Sequence, residues 1–178
     1  MRFGVALLGL LALPLAAQKI GHNFDQDTDF SKFKSYKWVE IKTPQQVDQI
    51  TAGQISAALD KAMAAKGLQK TDSDSADLYV GYQVGLQNEQ QLTTFNNGGW
   101  GYGPRWGGGM GGMATTTTST ITTGVLTVDM YEAAAKKLVW RGTASDTVDG
   151  KNSPEKRVKK LDKAAEKLMK NYPPKKKS

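Results

Sequence analysis

The chain has 178 residues, with 24 Lys and Arg against 17 Asp and Glu, 39% hydrophobic residues, one histidine and no cysteine. That length suits one globular domain with appendages, and the missing cysteine removes disulfides, thiolate catalysis, iron–sulfur ligation and a lipid-acceptor thiol. A lone imidazole, His22, cannot supply a two-histidine metal site and would have to serve any base-assisted serine by itself, which argues against most metallohydrolases and serine hydrolases.

Residues 1–17, MRFGVALLGLLALPLAA, hold one early charge at Arg2, an apolar run from Phe3 to Leu13, then Pro14 and the small residues Ala16 and Ala17. This is the three-part layout of a secretory signal peptide, with Gln18 expected as the new N-terminus. The run is shorter than the roughly 20 apolar residues of a membrane span, and no later segment approaches that length. The mature chain is therefore expected to be secreted and soluble, and without a lipid anchor because no Cys is present.

Beyond a polar stretch at 18–32, residues 33–41 (FKSYKWVEI) alternate and are rich in aromatic and β-branched residues, which predicts a strand. Thr43, Pro44 and Gln46 look like an N-cap, a first-turn proline and a capping-box partner. They open a helix over about 44–66 with Val47, Ile50, Ile55, Leu59, Ala62 and Met63 on one side and Gly67 as its stop. TDSDSAD (71–77) is turn chemistry. It leads to Leu78, Val80, Tyr82, Val84 and Leu86, the cleanest period-two signal in the chain. Gly81 and Gly85 fall on the opposite, more polar face, which suggests close backbone approach or a twisted, partly exposed surface.

Residues 97–113, NGGWGYGPRWGGGMGGM, hold nine glycines in 17 positions. Glycine loses the most backbone freedom on folding and offers no side chain to offset it, so a flexible insertion is expected over 94–118. Strands resume at 119–130 and at 137–148, joined by a turn around 132–136. The last helix opens at Ser153, Pro154 and Glu155, with a stripe of Val158, Leu161, Ala165, Leu168 and Tyr172. Lys175 to Ser178 form a basic tail.

The order strand, helix, three strands, helix predicts an α+β two-layer domain over 18–174: a mainly antiparallel sheet of about four strands with two helices on one face. Trp38 and Trp140 are assigned to the core by alternation. Residues 151–178 carry 11 Lys and Arg against 3 acids, so the basic character belongs to the C-terminus. Its lysines read as a solvated outer face, with attraction to a membrane surface or a polyanion as the alternative. No aromatics are interleaved with them, which removes the stacking platform of a single-strand nucleic-acid binder.

Site motifs mostly fail. Gly107, Gly109 and Gly112 match G-x-G-x-x-G, but Thr-rich sequence follows instead of a helix that would aim its amides at a pyrophosphate. Asp25, Asp27 and Asp29 open like a calcium loop, yet Phe30 stands where the turn requires Gly and Tyr36 where a bidentate Glu should sit. No G-x-S-x-G elbow occurs, and His22 reads as an exposed or strand-edge residue. No catalytic residue, metal ligand or cofactor is assigned. Trp100, Tyr102, Arg105 and Trp106 stand apart, because aromatics among glycines have no packing reason visible in the sequence; they are the candidate partner-binding residues.

Four segments together resemble a known family: DQDTDFSKFKSYKW (25–38), the Lys-Gly step before SADLYVGY (75–82), the Trp/Gly-rich stretch, and GVLTVDMYEAAAKKLVWRGTA (124–144). They are similar to the bacterial envelope family catalogued as domain of unknown function 4136, many members of which are lipoproteins. The resemblance implies a secreted or lipid-anchored envelope protein with no assigned activity and no catalytic residues to carry over. Here Ala17 and Gln18 stand where the lipoprotein Cys would be. The expected function is thus a non-enzymatic envelope protein, periplasmic or outer-membrane-associated, acting by surface contact with a partner protein, glycan or lipid headgroup. The alternatives are a periplasmic enzyme using Asp, Glu and Lys groups, or a structural domain with a tolerated loop.

Overall fold

The computed structural model describes residues 19–41, 43, 47–96 and 114–175, with backbone alone for 89, 91–96 and 114–119. Residues 1–18, the Trp/Gly-rich residues 97–113 and residues 176–178 lie outside the described residues. The order is β1 (Lys19–Phe24), a 3-10 turn (Phe30–Lys32), β2 (Ser35–Trp38), α1 (Gln49–Ala64), β3 (Gln69–Lys70), β4 (Leu78–Asn96), β5 (Ala114–Glu132), β6 (Lys137–Thr147) and α2 (Pro154–Met169).

The fold is α+β, but the sheet has six strands in the order β1-β6-β5-β4-β2-β3 and is mixed, which corrects the expected four antiparallel strands. β1, β6, β5 and β4 are antiparallel neighbours, whereas β2 pairs parallel with both β4 and β3. The parallel half follows from α1, since a helical crossover after β2 returns the chain to the same end of the sheet. β1 escaped the sequence reading because its alternation of Ile20, His22 and Phe24 is diluted by polar neighbours; it forms because the free edge of β6 satisfies its backbone groups.

Rows of paired residues run across the sheet. Phe24, Trp140, Met130, Val80 and Trp38 form one row over five strands, and Val84, Leu126, Ala144 and Ile20 form another two steps further on. This face carries both helices. Trp140, Met130 and Val80 are fully buried together with Leu59 and Met63 of α1 and Leu168 of α2. Trp38 packs against the core half-buried. A bulge between Met130 and Tyr131 sets Val139 beside Trp140, and both are buried.

Both helices depart from their expected details. α1 starts at Asp48, whose side chain accepts from the Thr51 amide, and not at Thr43. Asp48 is an equally strong cap, so cap chemistry alone could not choose between the two. α1 buries Ile55, Ala58, Leu59, Ala62 and Met63 but leaves Ile50 74% exposed. Gly67 ends it as expected, at φ 82, with the Leu68 amide donating to Met63 and the Gly67 amide to Ala64. In α2, Ser153 caps and Pro154 leads, while Val158 is exposed and Met169, absent from the expected stripe, is buried.

Candidate functional site

β4 and β5 are each 19 residues long and stay paired from Leu78↔Glu132 to Asn96↔Ala114. β6 leaves β5 after Thr123↔Thr147, with one further bond from the Val148 amide to Thr122. Past that point the hairpin continues as a two-stranded ribbon to Asn96↔Ala114, about 30 Å at roughly 3.3 Å per residue. Pairing thus runs into both ends of the range expected to be a flexible insertion. β-branched threonines at 115–118, 120, 122 and 123 favour strand over coil there. The candidate residues Trp100, Tyr102, Arg105 and Trp106 lie outside the described residues, in the chain that joins Asn96 to Ala114.

Several carboxylates of the described residues hold elements together. Asp77 accepts from the Lys34 and Ser35 amides and the Ser35 hydroxyl, all at 2.8 Å, while its own amide donates to Ser35 Oγ at 3.0 Å. The Lys34 amide bond leads the causes that hold this carboxyl below its ordinary range. Asp60 accepts from the Tyr36 hydroxyl and Trp38 Nε1, each at 2.7 Å, and from Lys70 at 3.0 Å. Burial pushes Asp60 up, but these three donors outweigh it and the net shift is downward; burial beside Asp60 raises the Tyr36 phenol.

Asp25 takes Lys137 at 2.8 Å and the Thr28 hydroxyl at 2.5 Å, and the lysine hydrogen bond is the largest cause of its fall to about 2. On the sheet face away from the helices, buried Asp129 accepts two bonds from Arg141, at 2.6 and 2.7 Å. His22 is exposed on the edge strand, in stacking contact with Phe24. Among the described residues no group of three or more His, Asp and Glu is placed to hold a metal ion, and no helix is long and apolar enough to cross a membrane.

One concave feature was not anticipated. Where the ribbon leaves the domain, the first turns of α1 and α2 stand over the last rows of the sheet and leave a cavity of about 580 Å³. Val84, Leu126 and Ala144 form its floor, with Ile55 and Leu161 as walls. Among the described residues five large apolar side chains are exposed, and three of them, Ile50, Leu86 and Val148, form the lip of this one groove. Their apolar character was legible in the sequence, but periodicity assigned Ile50 and Leu86 to the buried faces of their elements.

The architecture is a mixed sheet with two helices on one face and a long central hairpin. In comparison with known proteins, the family model described as Domain of unknown function (DUF4136) matches residues 20–174, and the chain belongs to that family. No curated protein matches it in sequence. Among solved structures it is similar to a PDZ domain protein from Parabacteroides distasonis, with 11% identity and a TM-score of 0.54, over 90% of this chain and 37% of that one. It is also similar to the PelC dodecamer from Paraburkholderia phytofirmans, with 10% identity and a TM-score of 0.50, over 86% of this chain and 95% of that one. At such identities the likeness is one of fold.

The motifs that carried the family resemblance have structural explanations. Asp77 pins the start of β2 to the start of β4, and Leu78 and Val80 are buried in the core. In the Leu-Val-Trp-Arg-Gly run, Trp140 fills the core and Arg141 reaches Asp129 across the strands. A side chain on Gly142 would collide with the Trp140 ring and Leu168.

Proposed function

We propose that this chain is a non-enzymatic protein of the bacterial envelope, periplasmic or outer-membrane-associated after removal of residues 1–17, and that it works by surface contact. The contact element is the Trp100, Tyr102, Arg105 and Trp106 segment, and its partner is an envelope protein, glycan or lipid headgroup. The observation that supports this reading is the ribbon. Slack in a loop would not require continued register beyond β6, since a short turn after Leu86 would close the same sheet, yet the strands stay paired out to Asn96↔Ala114. A paired ribbon holds the ends of the aromatic segment at its tip. The engagement of Asp25, Asp60, Asp77 and Asp129 in pinning strands and turns accounts for these acids without catalysis.

The test replaces residues 97–113 by an Asn-Gly turn, which suits a two-residue hairpin. Co-sedimentation with outer-membrane fragments is then compared between the two forms. The full chain is expected to be retained and the shortened chain to be lost from the pellet, with stability changed by less than about 0.5 kcal/mol. Equal retention of both forms overturns the contact reading, and unfolding of the shortened form makes the segment structural.

A further inference from the structure

We infer that the groove between the helix N-termini and the end of the sheet binds one single-chain anionic amphiphile, with its alkyl chain on the apolar floor and its carboxylate or phosphate at Arg157. Three observations converge on this. The first is size and lining: a cavity of about 580 Å³ falls within the roughly 300–1,000 Å³ of ligand sites, with Val84, Leu126, Ala144 and Leu161 turned into it.

The second is exposure. Ile50 is 74%, Leu86 54% and Val148 49% exposed, so three large apolar side chains surround one opening. Gly124 lets the lip draw together, since a Cβ there would stand 3.0 Å from Val148 and 4.0 Å from Leu86.

The third is the hydrogen-bond donor left over at the rim. Three acids line the groove and keep their charge, but each already accepts a hydrogen bond. Asp48 caps α1 through the Thr51 amide and hydroxyl, at 3.0 and 2.6 Å. Asp146 accepts from the Thr147 amide and pairs with Lys160 at 3.4 Å. Asp149 accepts from the Lys151 amide at 2.9 Å. Arg157, in the first turns of α2, makes no side-chain hydrogen bond or ion pair among the described residues. Lys156 precedes it in the chain, and the positive ends of both helix dipoles lie at the same mouth. A neutral apolar ligand would use the floor alone, and a cationic one would meet Arg157. An anionic head on an alkyl chain uses both features, and its guanidinium contact can be bidentate.

The experiment displaces the neutral probe N-phenyl-1-naphthylamine from the full mature chain with straight-chain carboxylates of 8 to 14 carbons and with the matching alcohols, all below their aggregation limits. Each added methylene should tighten binding about fourfold until the groove is full. The carboxylate should bind roughly two- to fivefold tighter than the alcohol of equal length. Arg157→Gln should erase that difference and leave alcohol binding unchanged, whereas Lys170→Gln should preserve it. Ile50→Glu, at an exposed site that does not threaten folding, should weaken both series.

Equal affinity of acid and alcohol in the unmodified chain overturns the anionic assignment. Absence of saturable displacement by either series overturns the site. Sedimentation with anionic phosphatidylglycerol vesicles, without any displacement by monomeric amphiphile, would make the groove a membrane-docking surface and overturn the single-ligand reading. The lining lies outside residues 97–113, so this result is independent of the loop replacement.

Discussion

At the scale of single residues, the tightest constraint is the contact between Trp140 and Gly142. The indole occupies the space above the glycine, where a Cβ would also press on Leu168, and Trp140 is fully buried. Gly142→Ala should therefore destabilise by about 1–3 kcal/mol through overpacking. Gly85 makes an instructive contrast, because a Cβ there meets nothing within 4 Å. Gly85→Ala should be neutral or stabilising by up to about 1 kcal/mol, since alanine loses less backbone entropy on entering a strand. Urea denaturation of the two variants checks the pair; equal effects would mean that space around the glycine does not decide the outcome.

Gly81 belongs with Gly142. Its added Cβ would strike the Ile41 side chain, so the expected close approach on the outer face is real and comes from the segment that follows β2.

At the scale of elements, β2 is only four residues long, Ser35–Trp38, and depends on side-chain contacts at both ends. Asp77 ties its first amides to the start of β4, and Asp60 of α1 receives Tyr36 and Trp38 further along. Asp77→Ala should leave two strand-end amides without this acceptor and cost about 1–3 kcal/mol. Amide hydrogen exchange should rise at Lys34 and Ser35 while the Thr127–Met130 segment of β5 stays protected. Uniform acceleration over the whole sheet would show that Asp77 acts on global stability and does not pin β2 locally.

At the scale of the whole molecule, acid should unfold this protein through carboxylates that the fold keeps ionised. Asp25 is depressed to about 2, and Asp60 and Asp77 are also lowered. A depressed folded-state pKa contributes stability that is present above the unfolded value, near 4, and is lost as pH falls through the folded value. The melting temperature should therefore hold above about pH 4 and decline steadily toward pH 2. Asp77→Asn should lower the plateau and flatten that decline. The raised groups, Lys37, Lys137 and Arg141, work in the opposite direction, and their contribution is lost only at strongly alkaline pH.

The α+β class, the two helix ends at Ser153 and Gly67, the core placement of Trp140 and the family are all legible in the amino-acid sequence. Each rests on local chemistry: a cap, a residue with positive φ, a period of two, or a run of residues in a recognisable order. The sequence could not deliver β1 or the parallel half of the sheet, because pairing partners are chosen by long-range geometry and β1 becomes a strand only against β6. Nor could it place the groove. Periodicity reports which side of an element is apolar, but whether that side is covered depends on how far the packed helices reach along the sheet. α1 and α2 stop short of the Leu86–Gly124 row, so Ile50 and Leu86, apolar in pattern, face an open cavity. The aromatic segment 100–106 was visible as an anomaly of composition, while the ribbon that joins it to the domain emerged only from the register of β4 against β5.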